Sequence, residues 1–170
     1  LFSAILSKPA RQRTLLTHVM AAIQPGAATH GTAAEPATIS RLSADFANLY
    51  PMRILVAEDN LVNQMLILKM LEMLGYRASI AENGKLAVAM SATNAFDLIF
   101  MDVQMPEMDG LEATKNIRKQ EFPQPFIIAM TANVMEGDKE ECIEAGMDDY
   151  LSKPINVDDL IAMLRKWAIK

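Results

Sequence analysis

Five side chains with complementary chemistry stand at the ends of short apolar runs: Glu58 and Asp59, Asp102, Thr131, and Lys153 ahead of Pro154. If those runs are parallel strands joined by right-handed crossovers, their C-terminal ends lie along one edge, where such sheets bind ligands. Three carboxylates, a hydroxyl and an ammonium then converge from four distant parts of the chain. Three carboxylates in one pocket repel, and without compensation the pKa of at least one rises. A hard divalent cation relieves this. Magnesium takes oxygen ligands and keeps several waters, which suits a few carboxylates and a phosphoryl oxygen. Lys153 adds a mobile positive charge and Thr131 a hydrogen-bond donor, so the set can neutralise the equatorial oxygens of a transferring phosphoryl group. Asp102 stands alone after the central run and is the natural nucleophile. The metal would sit between it and the Glu58/Asp59 pair.

The elements needed to hold this arrangement are present. From Met52 onward, short apolar runs alternate with helix-length amphipathic stretches, the pattern of repeated strand-helix units around a parallel sheet. The pattern predicts strands at Arg53–Ala57, Arg77–Ala81, Asp97–Met101, Phe126–Met130 and Asp149–Leu151. Helices are expected over Leu61–Leu74, Gly84–Ala92, Gly110–Lys119, Val134–Ala145 and Val157–Ala168. Asn60 suits the N-cap of the first helix, and Gly75 and Gly146 stand where helix C-termini favour a left-handed residue.

The chain has 170 residues, 51% of them apolar and 22% charged, enough apolar side chain for a buried core. No uncharged apolar stretch reaches the roughly 18 residues that span a bilayer. The single Cys142 excludes an internal disulfide framework and fits a reducing cytoplasm. Residues 52–170 carry twelve basic and nineteen acidic side chains, a net −7, which repels nucleic-acid phosphates. No direct nucleic-acid binding is expected. Residues 25–38 hold five Ala, three Thr, two Pro and two Gly but no large apolar residue, the composition of a linker. That linker is expected over 24–51, with Ile39, Leu42, Phe46 and Tyr50 as weak contacts.

Residues 52–170 resemble a receiver domain of two-component signalling, in the form carried by hybrid sensor histidine kinases. The matching strings are ILVAEDNLVNQ (Ile54–Gln64), DLIFMDVQMPEMDG (Asp97–Gly110), IIAMTAN (Ile127–Asn133) and GMDDYLSKPI (Gly146–Ile155). The resemblance implies a flavodoxin-like (βα)5 doubly wound parallel sheet in strand order 2-1-3-4-5. It makes Asp102 the phosphoacceptor and Glu58 and Asp59 the acidic metal pair for Mg2+, with the main-chain carbonyl of Gln104 as a further ligand. Thr131 and Lys153 would contact the phosphoryl group, and Tyr150 would move with Thr131 on activation. Pro106 and Gly110 would shape the loop after Asp102, and the Lys153–Pro154 bond would be cis. Glu58 stands where many members have Asp, and its longer arm would reach the metal through water. The implied partners are a histidine phosphotransfer domain or a histidine kinase core, docking beside Leu61 and Met65. The location would be the cytoplasmic portion of a membrane-bound bacterial sensor kinase, with membrane contact only through the parent.

Ile5–Met20 aligns without gaps with Tyr150–Arg165, sharing LSKP and the following leucine. Residues 1–23 therefore read as the last strand and helix of an upstream receiver-like domain, in a fragment of a longer protein. They hold Lys8 and Pro9 but none of the acids of the site.

Other readings compete. Glu58 and Asp59 could simply favour a helix N-terminus, Thr131 could be a helix cap, and Tyr150 could be packing. A receiver-like module that only binds protein would need no cation. A turnover phosphatase with an aspartyl nucleophile normally has a second Asp two residues on, where this chain has Gln104. A flavin-binding relative would need a hydroxyl- and Gly-rich loop after the first strand, and EDNLVNQ is not that.

Overall fold

The computed structural model describes residues 45–132 and 136–168; the segment read as an upstream remnant and most of the expected linker lie outside them. A short helix α1 (Phe46–Leu49) precedes five alternating units. These are β1 (Ile54–Ala57) with α2 (Leu61–Met73), β2 (Ser79–Ala81) with α3 (Gly84–Thr93), and β3 (Leu98–Asp102) with α4 (Gly110–Arg118). β4 (Phe126–Thr131) with α5 (Glu136–Ala145) and β5 (Asp149–Ser152) with α6 (Val157–Ala168) follow. The strands form one parallel sheet in the order β2-β1-β3-β4-β5. This is the doubly wound topology expected.

Strand period divides the core in two. Ile54, Val56, Leu98, Phe100, Ile128 and Met130 face one way, against α2 and α6 through Ile67, Leu71, Leu160, Leu164 and Trp167. Leu55, Ala57, Ile99, Met101, Ile127 and Ala129 face the other way, against α3, α4 and α5 through Ala87, Ala113, Ile117 and Cys142. Every residue of β1 and β3 is buried, which explains their unbroken apolar runs in place of alternation. Complete burial of one such Leu, Ile or Phe contributes about 1.5–3 kcal/mol. Cys142 is buried and packs in this second layer.

Element ends differ from expectation in ways that matter. β3, β4 and β5 run one residue further, because Asp102 still pairs with Met130 and Thr131 with Ser152. Asp102 and Thr131 are thus the last residues of strands, anchored by the ladder. β1 and β3 start one residue later, because Asp97 turns back on Arg53: its carboxylate accepts from the Arg53 amide at 2.7 Å and pairs with the guanidinium at 3.0 Å. Asn60 caps α2, accepting from the amides of Val62 and Asn63 at 2.9 and 3.2 Å. Asn83 and Asp109 cap α3 and α4 in the same way. Gly75 and Gly146 have φ of 89° and 100°.

The expected linker needs correction at its C-terminal end. Phe46 is 5% exposed; its ring lies 4.9 Å from that of Tyr50 and 6.3 Å from that of Tyr76. The Ala47 amide donates to the Leu74 carbonyl at 2.9 Å, and the Tyr76 hydroxyl donates to the Tyr50 carbonyl at 2.5 Å. Burial, with Tyr50 beside it, pushes the Tyr76 hydroxyl up to about 12. Residues 46–50 are part of the folded unit, not weak contacts. Among the described residues no helix is long and apolar enough to cross a membrane.

Candidate functional site

The C-terminal ends of β1, β3, β4 and β5 meet at an open cleft of about 430 Å³. Its floor is an ionic cluster. The Lys153 ammonium lies 2.7 Å from Glu58 Oε2 and 2.7 Å from Asp102 Oδ2. Glu58, Asp59 and Asp102 each present a carboxylate oxygen within 4.8 Å of the others. Side chains separated by up to 95 positions therefore share one pocket.

Each group is held by its element. Glu58 and Asp59 directly follow β1 on the turn into α2. Glu58 turns inward and is 1% exposed, whereas Asp59 turns to solvent. Asp102 ends the central strand, and its Oδ1 accepts from the Gln104 amide at 3.1 Å. The start of α4 presses against the back of this position. A Cβ on Gly110 would sit 2.1 Å from the Asp102 carbonyl oxygen, and the Gly110 amide donates to the Val103 carbonyl at 3.0 Å. Pro106 stands in the intervening loop, where its carbonyl accepts from the Met108 amide at 2.8 Å. The Lys153 amide donates to the Thr131 carbonyl at 2.8 Å, and the Lys153–Pro154 bond is cis.

The electrostatics follow from the packing. Burial pushes the Asp102 carboxyl above its ordinary range; Lys153 pulls it back, and the charge of Glu58 adds to the rise. Burial works against the charge on Lys153, but hydrogen bonds and attraction from Asp102 and Glu58 outweigh it, so its pKa is raised. One ammonium against three carboxylates leaves excess negative charge, and the donor set is all oxygen. These residues fit a hard cation.

Thr131 lines the cleft beside Asp102. Tyr150 pairs with Ala129, two residues before Thr131, so it shares a sheet face with Thr131. Its ring lies under the Lys139 ammonium, 4.5 Å away. Leu61 and Met65 are 68% and 64% exposed on α2, with Val62 at 72% and Leu66 at 44%. Sequence reasoning missed Asn63 and Gln64, which bind Glu58, and Asp138 and Glu141, which line the cleft from α5. The first pair could have been found by placing the turn after Asn60 over the end of β1.

Residues 54–165 match the family model described as Response regulator receiver domain, and the chain belongs to that family. It is 41% identical to Histidine protein kinase 1 of Candida albicans over 72% of this chain and 5% of that protein. It is 42% identical to the sensor histidine kinase GacS of Pseudomonas protegens over 68% of this chain and 13% of that protein. The chain thus spans only a small part of these curated relatives. Among solved structures it resembles the receiver domain of sensor histidine kinase PA1611 from Pseudomonas aeruginosa. That match has a TM-score of 0.65 and 43% identity, covers 70% of this chain and 98% of that one, and has a magnesium ion coordinated in the active-site cleft. It also resembles the receiver domain of Ssk1 from Saccharomyces cerevisiae, solved with the histidine phosphotransfer protein Ypd1. There the TM-score is 0.65 and the identity 31%, over 69% and 89% of the two chains.

Proposed function

We propose that Asp102 accepts a phosphoryl group from a phosphohistidine. The observation that carries this reading is the placement of the Lys153 ammonium 2.7 Å from Asp102 with two further carboxylates alongside. An Asp102 carboxylate oxygen attacks phosphorus, the P–N bond to the donor imidazole breaks, and that nitrogen keeps the bonding pair. The products are an aspartyl phosphate and a free histidine. Asp59, Asp102 and the Gln104 carbonyl would hold Mg2+ directly and Glu58 through water; the ion supplies neutralisation of phosphoryl charge. Lys153 pairs with a second phosphoryl oxygen, and the Thr131 hydroxyl donates to a third.

The switch follows from the shared face of Thr131 and Tyr150. Thr131 moves toward the new phosphoryl group and Tyr150 moves with it, shifting a two-state equilibrium of the surface around α5 and β5. The exposed apolar side chains Leu61 and Met65 at the start of α2, next to the cleft, offer a surface to the donor. The donor is a histidine phosphotransfer domain or kinase core, and the parent a membrane-bound hybrid sensor histidine kinase whose cytoplasmic portion carries this domain.

Incubation with a phosphorylated histidine phosphotransfer domain and magnesium tests the reading. Wild type should take up the label, chelation should stop it, and Asp102→Asn should abolish it. Undiminished labelling of Asp102→Asn would overturn it.

A further inference from the structure

Two amide side chains of α2 serve no role in the chemistry above, yet both are spent on Glu58. Gln64, 7% exposed, donates from Nε2 to the Glu58 carbonyl at 2.6 Å and fixes the backbone where β1 turns into the helix. Asn63 donates from Nδ2 to Glu58 Oε1 at 3.0 Å, and the Asn60 amide donates to the same oxygen at 3.2 Å. The other oxygen, Oε2, takes the Lys153 ammonium at 2.7 Å. With Glu58 1% exposed, bulk water does not replace these donors. Rotation of the carboxylate about its last bond would break both contacts to Oε1 together. The donors on Oε1 therefore set the plane of the group, and the plane sets where Oε2 holds the lysine. A second contact of that lysine is Asp102.

We propose that Asn63 is a positioning residue: through Glu58 it holds Lys153 against Asp102. The consequence for phosphorylation rests on the phosphoacceptor reading. The chain Asn63–Glu58–Lys153–Asp102 exists without metal or phosphoryl group and can be tested alone.

The primary readout is the reactivity of lysine amines in the metal-free full chain, using limiting acetic anhydride and mass spectrometry. Lys153 is compared with exposed Lys115 in the same molecules. Asn63→Leu keeps the size and removes the donor; the Lys153-to-Lys115 ratio should rise about fivefold, reflecting one lost hydrogen bond to a charged group partly compensated by Asn60. Asn63→Gln keeps the amide and should return the ratio to within about twofold of wild type. In a Glu58→Gln background, Asn63→Leu should add no further change, because the route is already cut. An unchanged ratio in Asn63→Leu, whatever happens to its melting temperature, would overturn the proposal. So would additive effects in the double variant.

The second readout is labelling by acetyl phosphate at saturating magnesium, where Asn63→Leu should lower the maximal rate about fivefold with the concentration dependence on acetyl phosphate unchanged. A raised lysine ratio with an unchanged rate would overturn the role in phosphorylation. A raised ratio with no labelling of Asp102 in wild type would support the positioning chain while removing the phosphoacceptor reading.

Discussion

Replacing Lys153 with Met keeps most of the side-chain volume and deletes the ammonium that touches both buried carboxylates. The lysine side chain is 19% exposed, against 1% for Glu58 and 7% for Asp102. Removing one partner of a buried ion pair costs about 3–5 kcal/mol. Here each carboxylate keeps another donor: Glu58 the Asn60 amide and Asn63, Asp102 the Gln104 amide. The low end applies, about 3 kcal/mol at neutral pH without metal, or roughly 10 °C in melting temperature for a domain of this size. The pH dependence has a definite sign. The folded-state pKa of Asp102 is raised, first by burial, so the native state binds a proton more readily than the unfolded chain. Stability falls as pH rises from the ordinary carboxylate range through that raised value. Without Lys153 the rise is larger, so the deficit of Lys153→Met should shrink steadily from pH 7.5 to pH 5. Magnesium at about one hundred times its dissociation constant should return about 2.7 kcal/mol by mass action. Urea denaturation of wild type and variant at both pH values, with magnesium and with chelator, measures all of this. A deficit that stays constant or grows on acidification would refute the reasoning, as would a variant as stable as wild type.

Two other substitutions probe the frame around the site. Gly110→Ala forces a Cβ against the Asp102 backbone, so it should destabilise by about 2 kcal/mol and displace the end of β3. Its labelling rate should fall further than melting predicts, and equal effects on both would contradict the coupling. Phe46→Ala should cost about 3 kcal/mol in thermal or urea unfolding. Leu49→Ala, one turn on and 72% exposed, should stay within about 0.5 kcal/mol; equal effects would return this segment to the linker.

The site was legible because β1, β3 and β4 are buried on both faces, and an apolar run on a parallel strand ends visibly where a polar residue follows it. Asp102 and Thr131 are such residues. Which of the adjacent acids Glu58 and Asp59 turns inward is decided by the entry of β1 into α2, which composition does not encode. β2 is three residues long, and Arg77 and Ala78 resemble strand residues but have no partner in the ladder. The burial of Phe46 depends on Leu74 and Tyr76, about thirty residues further along the chain, and so has no local signature. Asn63 and Gln64 look like the polar face of a helix; their role is visible only once the end of β1 lies beneath them. Arg118 is similar: it ties Gly146, Pro125 and Asp148 together, and nothing near it in sequence announces those partners.

The central claim is that side chains distant along the chain make Asp102 the phosphoryl acceptor. It is tested most directly by trapping the product. After incubation with a phosphorylated histidine phosphotransfer domain and magnesium, borohydride reduction converts an aspartyl phosphate to homoserine, which peptide mass spectrometry locates. The account predicts homoserine at position 102 alone, lost when magnesium is chelated. Modification at Glu58 or Asp59, or label transfer that leaves position 102 unmodified, would contradict it.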